Sequence, residues 1–153
     1  MDSNVVIYAF DEAAPPKRAI AQQIMLHGEG ILRLPLQVVG EAFRVLTRRK
    51  LMTDADAQAV LTQLMNVFPT IPSDDRAVLS AMRLLVEHDV PYWDALLVAT
   101  ASFNQCSLLL SEDFQDGRLF GIREVGGPAV RIVNPFAERN RPILEAARVL
   151  RAH

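Results

Sequence analysis

Residues 91–117 read PYWDALLVATASFNQCSLLLSEDFQDG, and this stretch organises the expected fold. Its pattern predicts a helix with Asp94 in the first turn, then a short apolar strand over 108–110, and then an acidic loop that contains Asp113 and Asp116. In open α/β sheets the loops that leave the carboxyl ends of the strands converge on a crevice where ligands bind. The three aspartates are therefore candidates for one site.

The rest of the chain alternates short apolar segments with helical patterns of ten or more residues. Strands are expected over 31–36, 69–73 and 130–133, and helices over 17–26, 37–50, 53–68, 74–86 and 141–151. This alternation is typical of a parallel sheet covered by helices on both faces. We therefore predict an α/β fold with three layers, α/β/α, around a central parallel sheet.

The beginning of the chain departs from that regular pattern. Ser3 and Asn4 are favourable N-cap residues directly before the apolar run 5–10, so a helix is expected there. Asp2 then stands where a strand would pass into that helix, yet only Met1 precedes it. The first strand is therefore expected to be short or missing.

Composition limits the possible classes of protein. The 153 residues fit one domain, and 50% apolar with 22% charged residues is a globular balance. No apolar run approaches the roughly 18 residues of a membrane span, and the start Met1-Asp2-Ser3 does not resemble a secretory signal, so we expect a cytoplasmic protein with no membrane association. A net charge of -2 gives no general attraction to nucleic acid, which would have to be held by local basic patches or through a metal ion.

Four acidic residues are expected at the edge of the sheet where strands end and helices begin. They are Asp2, Glu41, Asp94 and Asp113. Carboxylates that converge in a medium of reduced dielectric repel one another, and their pKa values rise unless a cation neutralises them. Oxygen ligands of this kind suit Mg²⁺ or Mn²⁺, which can orient a phosphodiester and activate water. Taken singly, however, each acid also fits a helix cap, a turn or a solvated helix face.

Other chemistries find less support in the sequence. The three histidines lie at expected helix ends or at the terminus, and no glycine-rich phosphate loop or cysteine–histidine zinc set is present. A phosphoacceptor receiver domain usually has a lysine late in the chain, whereas the last lysine here is Lys50, so this class of protein is less well supported. On the helix of Glu41, Arg44 and Arg48 share one face and are candidates to hold a nucleic-acid backbone, although a solvated face is an equally good reading.

Four segments taken in order resemble the PIN domain, most closely the VapC-type toxins of bacterial toxin–antitoxin pairs. They are DSNVVIYA at 2–9, LQVVGEAF at 36–43, YWDA at 92–95 and LSEDFQDG at 110–117. The resemblance covers residues 2–136 and implies a PIN-like, Mg²⁺- or Mn²⁺-dependent endoribonuclease. It implies that the metal is bound by Asp2, Glu41, Asp94 and Asp113, with Asp116 as a further ligand and with Ser111 and Asn4 as accessory residues.

The resemblance also implies partners and an organisation of the chain. An RNA substrate, a cognate antitoxin protein and a homodimer are expected, and Arg44 and Arg48 are the candidates for RNA binding. Residues 1–136 would form the nuclease domain, and 137–153 would be a C-terminal helical extension of it. Two alternatives stay open: a catalytically impaired PIN-like binding or dimerisation module, suggested by the missing first strand, and a PIN nuclease of other RNA or DNA processing.

Overall fold

The structure is a computed structural model that describes residues 1–150. This part of the chain forms short strands among longer helices, in the alternating order expected from the sequence. In chain order the elements are α1 (Ser3–Tyr8), α2 (Pro15–His27), β1 (Leu34–Pro35), α3 (Leu36–Arg48), α4 (Asp54–Val67), β2 (Thr70–Ile71), α5 (Asp75–His88), α6 (Tyr92–Phe103), β3 (Leu108–Leu110), β4 (Leu119–Phe120), α7 (Ile122–Val125), β5 (Val130–Val133) and α8 (Arg141–Ala146). The predicted α/β class is confirmed.

The strands make two small sheets where one continuous parallel sheet was predicted. β1 pairs with β2 in parallel, and β3 pairs with β5 in parallel. β4 lies on the other side of β5 and runs antiparallel to it, with Phe120 opposite Val130. β4 and α7 were not predicted, because each is too short to show a periodic pattern.

The amino terminus makes one backbone hydrogen bond toward each of the two sheets. The amide of Asp2 donates to the carbonyl of Leu110 (2.9 Å), and the amino group of Met1 donates to the carbonyl of Arg33 (3.1 Å). Within residues 1–150 no strand precedes α1, which agrees with the expected short or missing first strand. A cavity of about 410 Å³ lies beside Met1, between Leu32 and Leu109.

Helix α6 is the buried centre of the domain. Its residues 95–102 are all buried, and it packs against α5 and contacts β1, β3 and β5. A helix that is apolar on all sides is stable only when other elements surround it. α6 therefore fixes Asp94, in its first turn, relative to the end of β3.

The helix boundaries follow from local capping chemistry. The Thr53 hydroxyl accepts from the Asp56 amide at the start of α4, and the Asp74 carboxylate accepts from the Ala77 amide at the start of α5. β1 is shorter than the predicted strand over 31–36, because α3 already begins at Leu36.

The last predicted helix is shorter than expected. α8 ends at Ala146, and Arg148 adopts a left-handed conformation (φ 61°) that interrupts helical geometry. Residue 151, the predicted end of this helix, lies outside the described residues. The side chains of Leu144 and Leu150 are buried in the core, so the described part of the C-terminal segment packs on the domain. No helix within residues 1–150 combines the length and the apolar character needed to cross a bilayer.

Candidate metal centre

Asp2 is the most constrained acid of the predicted site. It is the N-cap of α1, and its side chain is only 5% exposed. One carboxylate oxygen accepts from the Ser3 amide (2.6 Å), and the other accepts from the Ser111 hydroxyl (2.5 Å). Burial raises the pKa of Asp2, and the negative charge of Asp113 acts in the same direction, while the two hydrogen bonds oppose the shift. Asp2 is therefore held in one orientation in spite of the missing strand.

Ser111 connects Asp2 to the loop that follows β3. Besides donating to Asp2, its hydroxyl oxygen accepts from the amide of Asp113 (3.2 Å), and the side chain is completely buried. Asn4 makes the second connection, because its side-chain amide donates to the Asp113 carboxylate (3.1 Å). The two residues that the resemblance implied as accessory thus contact the predicted acids directly.

Glu41 and Asp94 reach the same place from α3 and α6. Burial raises the pKa of Glu41, and the charges of Asp2, Asp113 and Asp94 raise it further against an opposing contact with Ser3. Burial also raises the pKa of Asp94, again with contributions from Asp2 and Asp113. Carboxylates shift one another in this way only when they lie close together. Asp2, Glu41, Asp94 and Asp113 are therefore near enough for the charge of one to act on another.

Asp116 is placed differently from the prediction. Its carboxylate accepts from the Asn134 amide (2.7 Å), the Asn140 side chain (2.7 Å) and the Arg139 guanidinium (2.6 Å). Partial burial would raise its pKa, but these donors outweigh burial and hold the pKa below its ordinary value. Because its oxygens are already engaged by the C-terminal segment, Asp116 acts in this structure as an anchor for that segment.

A comparison with known protein families matches a model described as the PIN domain over residues 1–115. The chain belongs to the PIN domain family. The matched range includes the four predicted acids and Ser111, and it ends just before Asp116. PIN domains are typically nucleases, which generally depend on metal ions. No curated protein matches the chain.

The residues of this PIN domain can be tested for their fit to a divalent cation. Four carboxylates are a suitable donor set for Mg²⁺, and among the ion pairs of residues 1–150 none involves any of the four. The Oδ1 atom of Asn4, beside Asp113, is buried and has no hydrogen-bond partner in the described chain. These features fit a missing cation.

The side chains are not, however, arranged as a finished coordination shell. Among residues 1–150 no group of three acidic, histidine or cysteine side chains is placed to hold one ion. Asp2 is fixed, whereas Glu41 and Asp113 are exposed side chains that can turn. Ligation of one ion by these acids therefore requires rotation of the Glu41 and Asp113 carboxylates toward Asp2.

Lys17 and Glu112 support the acidic loop and were missed by sequence reasoning. The Lys17 ammonium lies 2.6 Å from the Glu112 carboxylate and 3.0 Å from the Tyr8 hydroxyl, and it sits over the Tyr8 ring. Tyr8 in turn packs edge-on against Phe136. Lys17 and Glu112 are 95 positions apart, so no local pattern could have paired them.

Arg44 and Arg48 are exposed on α3, and neither takes part in an ion pair within the described part of the chain. Arg44 lies beside Glu41 in a groove that also contains Gln37, Gly40 and Trp93. Sequence reasoning did not identify this groove, because Gln37 and Trp93 are brought together only when α3 packs near the start of α6.

Proposed function

We propose that this PIN domain is a Mg²⁺- or Mn²⁺-dependent endoribonuclease and the toxin of a type II toxin–antitoxin pair. The observation that supports the nuclease chemistry is the hydrogen bonding that joins Asp2 to Asp113 through Ser111 and Asn4. Glu41 and Asp94 lie near them, and burial, followed by the charges of Asp2 and Asp113, raises the pKa of both. Residues 1–136 would carry the activity. The segment from 137 onward would brace the loop that contains Asp116.

The electrostatics of the four acids favour a bound dication. Burial and the neighbouring acids oppose the ionisation of Asp2, Glu41 and Asp94, and a cation bound among them would reverse that penalty. When bound, such an ion lowers the pKa of a coordinated water and neutralises charge on a phosphodiester. Asp2 would contribute a carboxylate whose orientation Ser3 and Ser111 already fix, so little side-chain entropy is lost on binding.

The RNA backbone would be held by the basic face of α3. Arg44 and Arg48 are exposed and lie on the side of the helix that carries Glu41, so both can donate to phosphate oxygens near the acids. Such a local patch is required because the net charge of the chain is -2. Cleavage should therefore weaken with rising salt concentration.

The nuclease proposal is tested by RNA cleavage in Mg²⁺ and in excess chelator. We expect cleavage only with the metal, and a loss of at least about 100-fold in Asp113→Asn, since a lost ligand commonly affects both metal affinity and charge stabilisation. Asp54→Asn is the matched control, because Asp54 is an exposed acid in the first turn of α4. Cleavage that is indifferent to chelator, or equal in the two variants, would contradict the proposal.

The toxin role has its own support and its own test. An exposed apolar stripe on α5, formed by Leu79, Met82 and Val86, is available to a protein partner or to a second copy of the chain. Expression of the protein in a bacterium should arrest growth, and co-expression of a small protein encoded beside it should restore growth. Growth arrest that persists in Asp113→Asn would separate toxicity from the nuclease.

The homodimer is tested by light scattering on the purified protein. We expect a dimer whose mass falls to that of one chain in Met82→Glu, because a buried charge in the middle of the stripe disfavours association. Gln58→Glu, on the exposed side of α4, is the control for adding one negative charge. A monomeric protein would contradict the dimer without affecting the nuclease proposal.

The rival proposal is a catalytically impaired PIN-like module. It was suggested by the missing first strand, since without that strand the Met1 ammonium would lie near Asp2 and could compete with a metal ion there. Burial lowers the pKa of the Met1 amino group, which favours its neutral form, and its hydrogen bond is made to Arg33. The structure therefore weakens that suggestion. The absence of metal-dependent cleavage with every RNA and single-stranded DNA tested would favour the impaired module.

A further inference from the structure

A groove of about 320 Å³ between α3 and the start of α6 adjoins the acidic group. It is lined by Gln37, Gly40, Glu41, Arg44 and Trp93. Glu41 belongs to both features, so anything bound in the groove lies next to the candidate metal centre. Three observations indicate what this groove binds.

The first observation is the exposure of Trp93. Its side chain is 66% exposed although it is the only tryptophan of the chain and lies in the first turn of the most deeply buried helix. The Gln37 side chain donates to the backbone carbonyl oxygen of Trp93 (3.1 Å), which fixes the backbone at this position, and the Tyr92 ring packs edge-on against the indole at 5.2 Å between centroids. An oriented, exposed indole is a platform for stacking another ring.

The second observation is a glycine inside α3. Gly40 has no left-handed φ, and a Cβ built on it would meet no atom within 4 Å. Neither the backbone nor the packing therefore requires glycine, which costs a helix about 1 kcal/mol relative to alanine. What glycine does here is leave the floor of the groove open beside Trp93.

The third observation is an unpaired acceptor. The Oε1 atom of Gln37 is buried and has no hydrogen-bond partner among residues 1–150, whereas the amide nitrogen of the same group donates to Trp93. A buried carbonyl oxygen without a donor carries a free-energy cost of about 1–3 kcal/mol. If the Gln37 side chain turns so that this oxygen faces the groove, a ligand with an N–H group in the plane of a ring would remove that cost.

We propose that this groove binds an unpaired nucleobase, stacked on Trp93 and donating a hydrogen bond to Gln37, while Arg44 contacts the adjacent phosphate. The inference deepens the proposed ribonuclease function and rests on it. The base must be unpaired, because the faces of bases in a duplex are covered by their neighbours and only splayed bases can stack on a protein ring.

The sole tryptophan makes the proposal directly measurable. With excess chelator present to prevent cleavage, we expect a single-stranded RNA oligonucleotide to quench the fluorescence of Trp93 in a saturable titration. The same strand annealed to its complement should bind at least about 5-fold more weakly in the same titration, since loss of a stacking contact worth about 1–3 kcal/mol corresponds to roughly 5- to 150-fold in affinity. Equal quenching by both forms would overturn the inference.

Substitutions at Trp93 test the stacking role through kinetics. Trp93→Leu keeps an apolar side chain and should raise KM for single-stranded RNA by about 5- to 150-fold with a smaller change in kcat, whereas Trp93→Phe should retain most of the affinity because it keeps a ring. Unchanged KM in Trp93→Leu would overturn the inference.

Gly40 supplies a second, independent pair of variants. Gly40→Leu fills the groove and should abolish the fluorescence quenching, whereas Gly40→Ala fills it less and should retain most of it. Both should unfold at or above the temperature of the unmodified protein, since each replaces a helical glycine. Full quenching in a folded Gly40→Leu variant would show that the base binds elsewhere.

The failure of this inference and the failure of the proposed function are distinguishable. Metal-dependent cleavage without preferential quenching by single strands would contradict base binding in the groove and would still support the nuclease function. Preferential quenching without any cleavage would support base binding in the groove and would contradict the nuclease function.

Discussion

Replacement of Ser111 by alanine tests whether the hydroxyl holds the candidate metal centre together. The Ser111 hydroxyl donates to the buried carboxylate of Asp2 (2.5 Å) and accepts from the amide of Asp113 (3.2 Å). Ser111→Ala therefore removes one partner from each of two acids that enter the site from different ends of the chain.

The size of the effect follows from these two contacts. A hydrogen bond to a charged acceptor contributes about 1.5–3 kcal/mol, and a half-buried amide left without its partner costs about 1 kcal/mol more. We therefore expect Ser111→Ala to lower the free energy of unfolding by about 2–4 kcal/mol at pH 7. Loss of the donor also raises the pKa of Asp2 further, so the difference between the two proteins should shrink as the pH falls and Asp2 becomes protonated.

Urea denaturation and Mg²⁺ titration calorimetry measure the two consequences. Ser102→Ala is the matched control, because Ser102 is equally buried and donates to the carbonyl of Pro128 (2.6 Å), a neutral acceptor. Ser102→Ala should lower the free energy of unfolding by about 0.5–1.5 kcal/mol and leave the Mg²⁺ affinity unchanged. Ser111→Ala should weaken Mg²⁺ binding by about 10- to 100-fold, the usual effect of losing a group that orients a ligand.

The reasoning is refuted if Ser111→Ala costs no more than Ser102→Ala and binds Mg²⁺ equally well. That result would mean that Asp2 keeps its orientation through the Ser3 amide alone and that the loop of Asp113 does not depend on Ser111.

Three further predictions concern the charges around the site. Asp116→Asn should lower the free energy of unfolding by about 1–3 kcal/mol at pH 7, because the substitution weakens three hydrogen bonds to the carboxylate. Because its folded-state pKa is lowered, this contribution should be present above about pH 4 and lost as the pH falls through the folded pKa, which denaturation at pH 7 and pH 3 can measure. Lys17→Met should lower the free energy of unfolding by less than about 1 kcal/mol, since the ion pair of Lys17 with Glu112 is partly exposed. A larger loss of free energy in urea denaturation would contradict this prediction. The raised pKa values of Asp2, Glu41 and Asp94 stabilise the fold without metal below about pH 4, and this stabilisation is lost as the pH rises through the folded-state pKa values. Saturating Mg²⁺ should therefore reduce the fall in the urea midpoint over that pH range. Identical pH profiles with and without Mg²⁺ would contradict metal binding by these acids.

Much of the secondary structure could be predicted from the sequence because its causes are local. The helix caps at Thr53 and Asp74 and the strands over 108–110 and 130–133 depend on residues a few positions apart. The segments that were missed or shortened are β4, which exists through its pairing with β5, and the end of α8, where Arg148 adopts a left-handed conformation. Phe120 pairs with Val130, and the turn at Arg148 has no local signal.

In the candidate site, too, some features could be predicted from local sequence and others depend on distant residues. The position of Asp113 shortly after β3 and that of Asp94 in the first turn of α6 were both predicted from the sequence. The role of Asp116 could not be predicted, because its carboxylate is captured by Asn134 and Asn140, which lie 18 and 24 positions further along. The role of the four acids as metal ligands stays a prediction.

The sequence by itself determined the α/β class, the order of its helices and the acidic character of one sheet edge, because periodicity, capping and residue type act over short distances along the chain. Only the tertiary structure decided that Asp2 is buried and held by Ser111, 109 positions away, and that Gln37 and Trp93 border an open groove. The physical reason is that burial and long-range hydrogen bonds depend on how the whole chain packs. Residues 91–117 specify where the site forms, and the packing of distant segments on them determines its electrostatics.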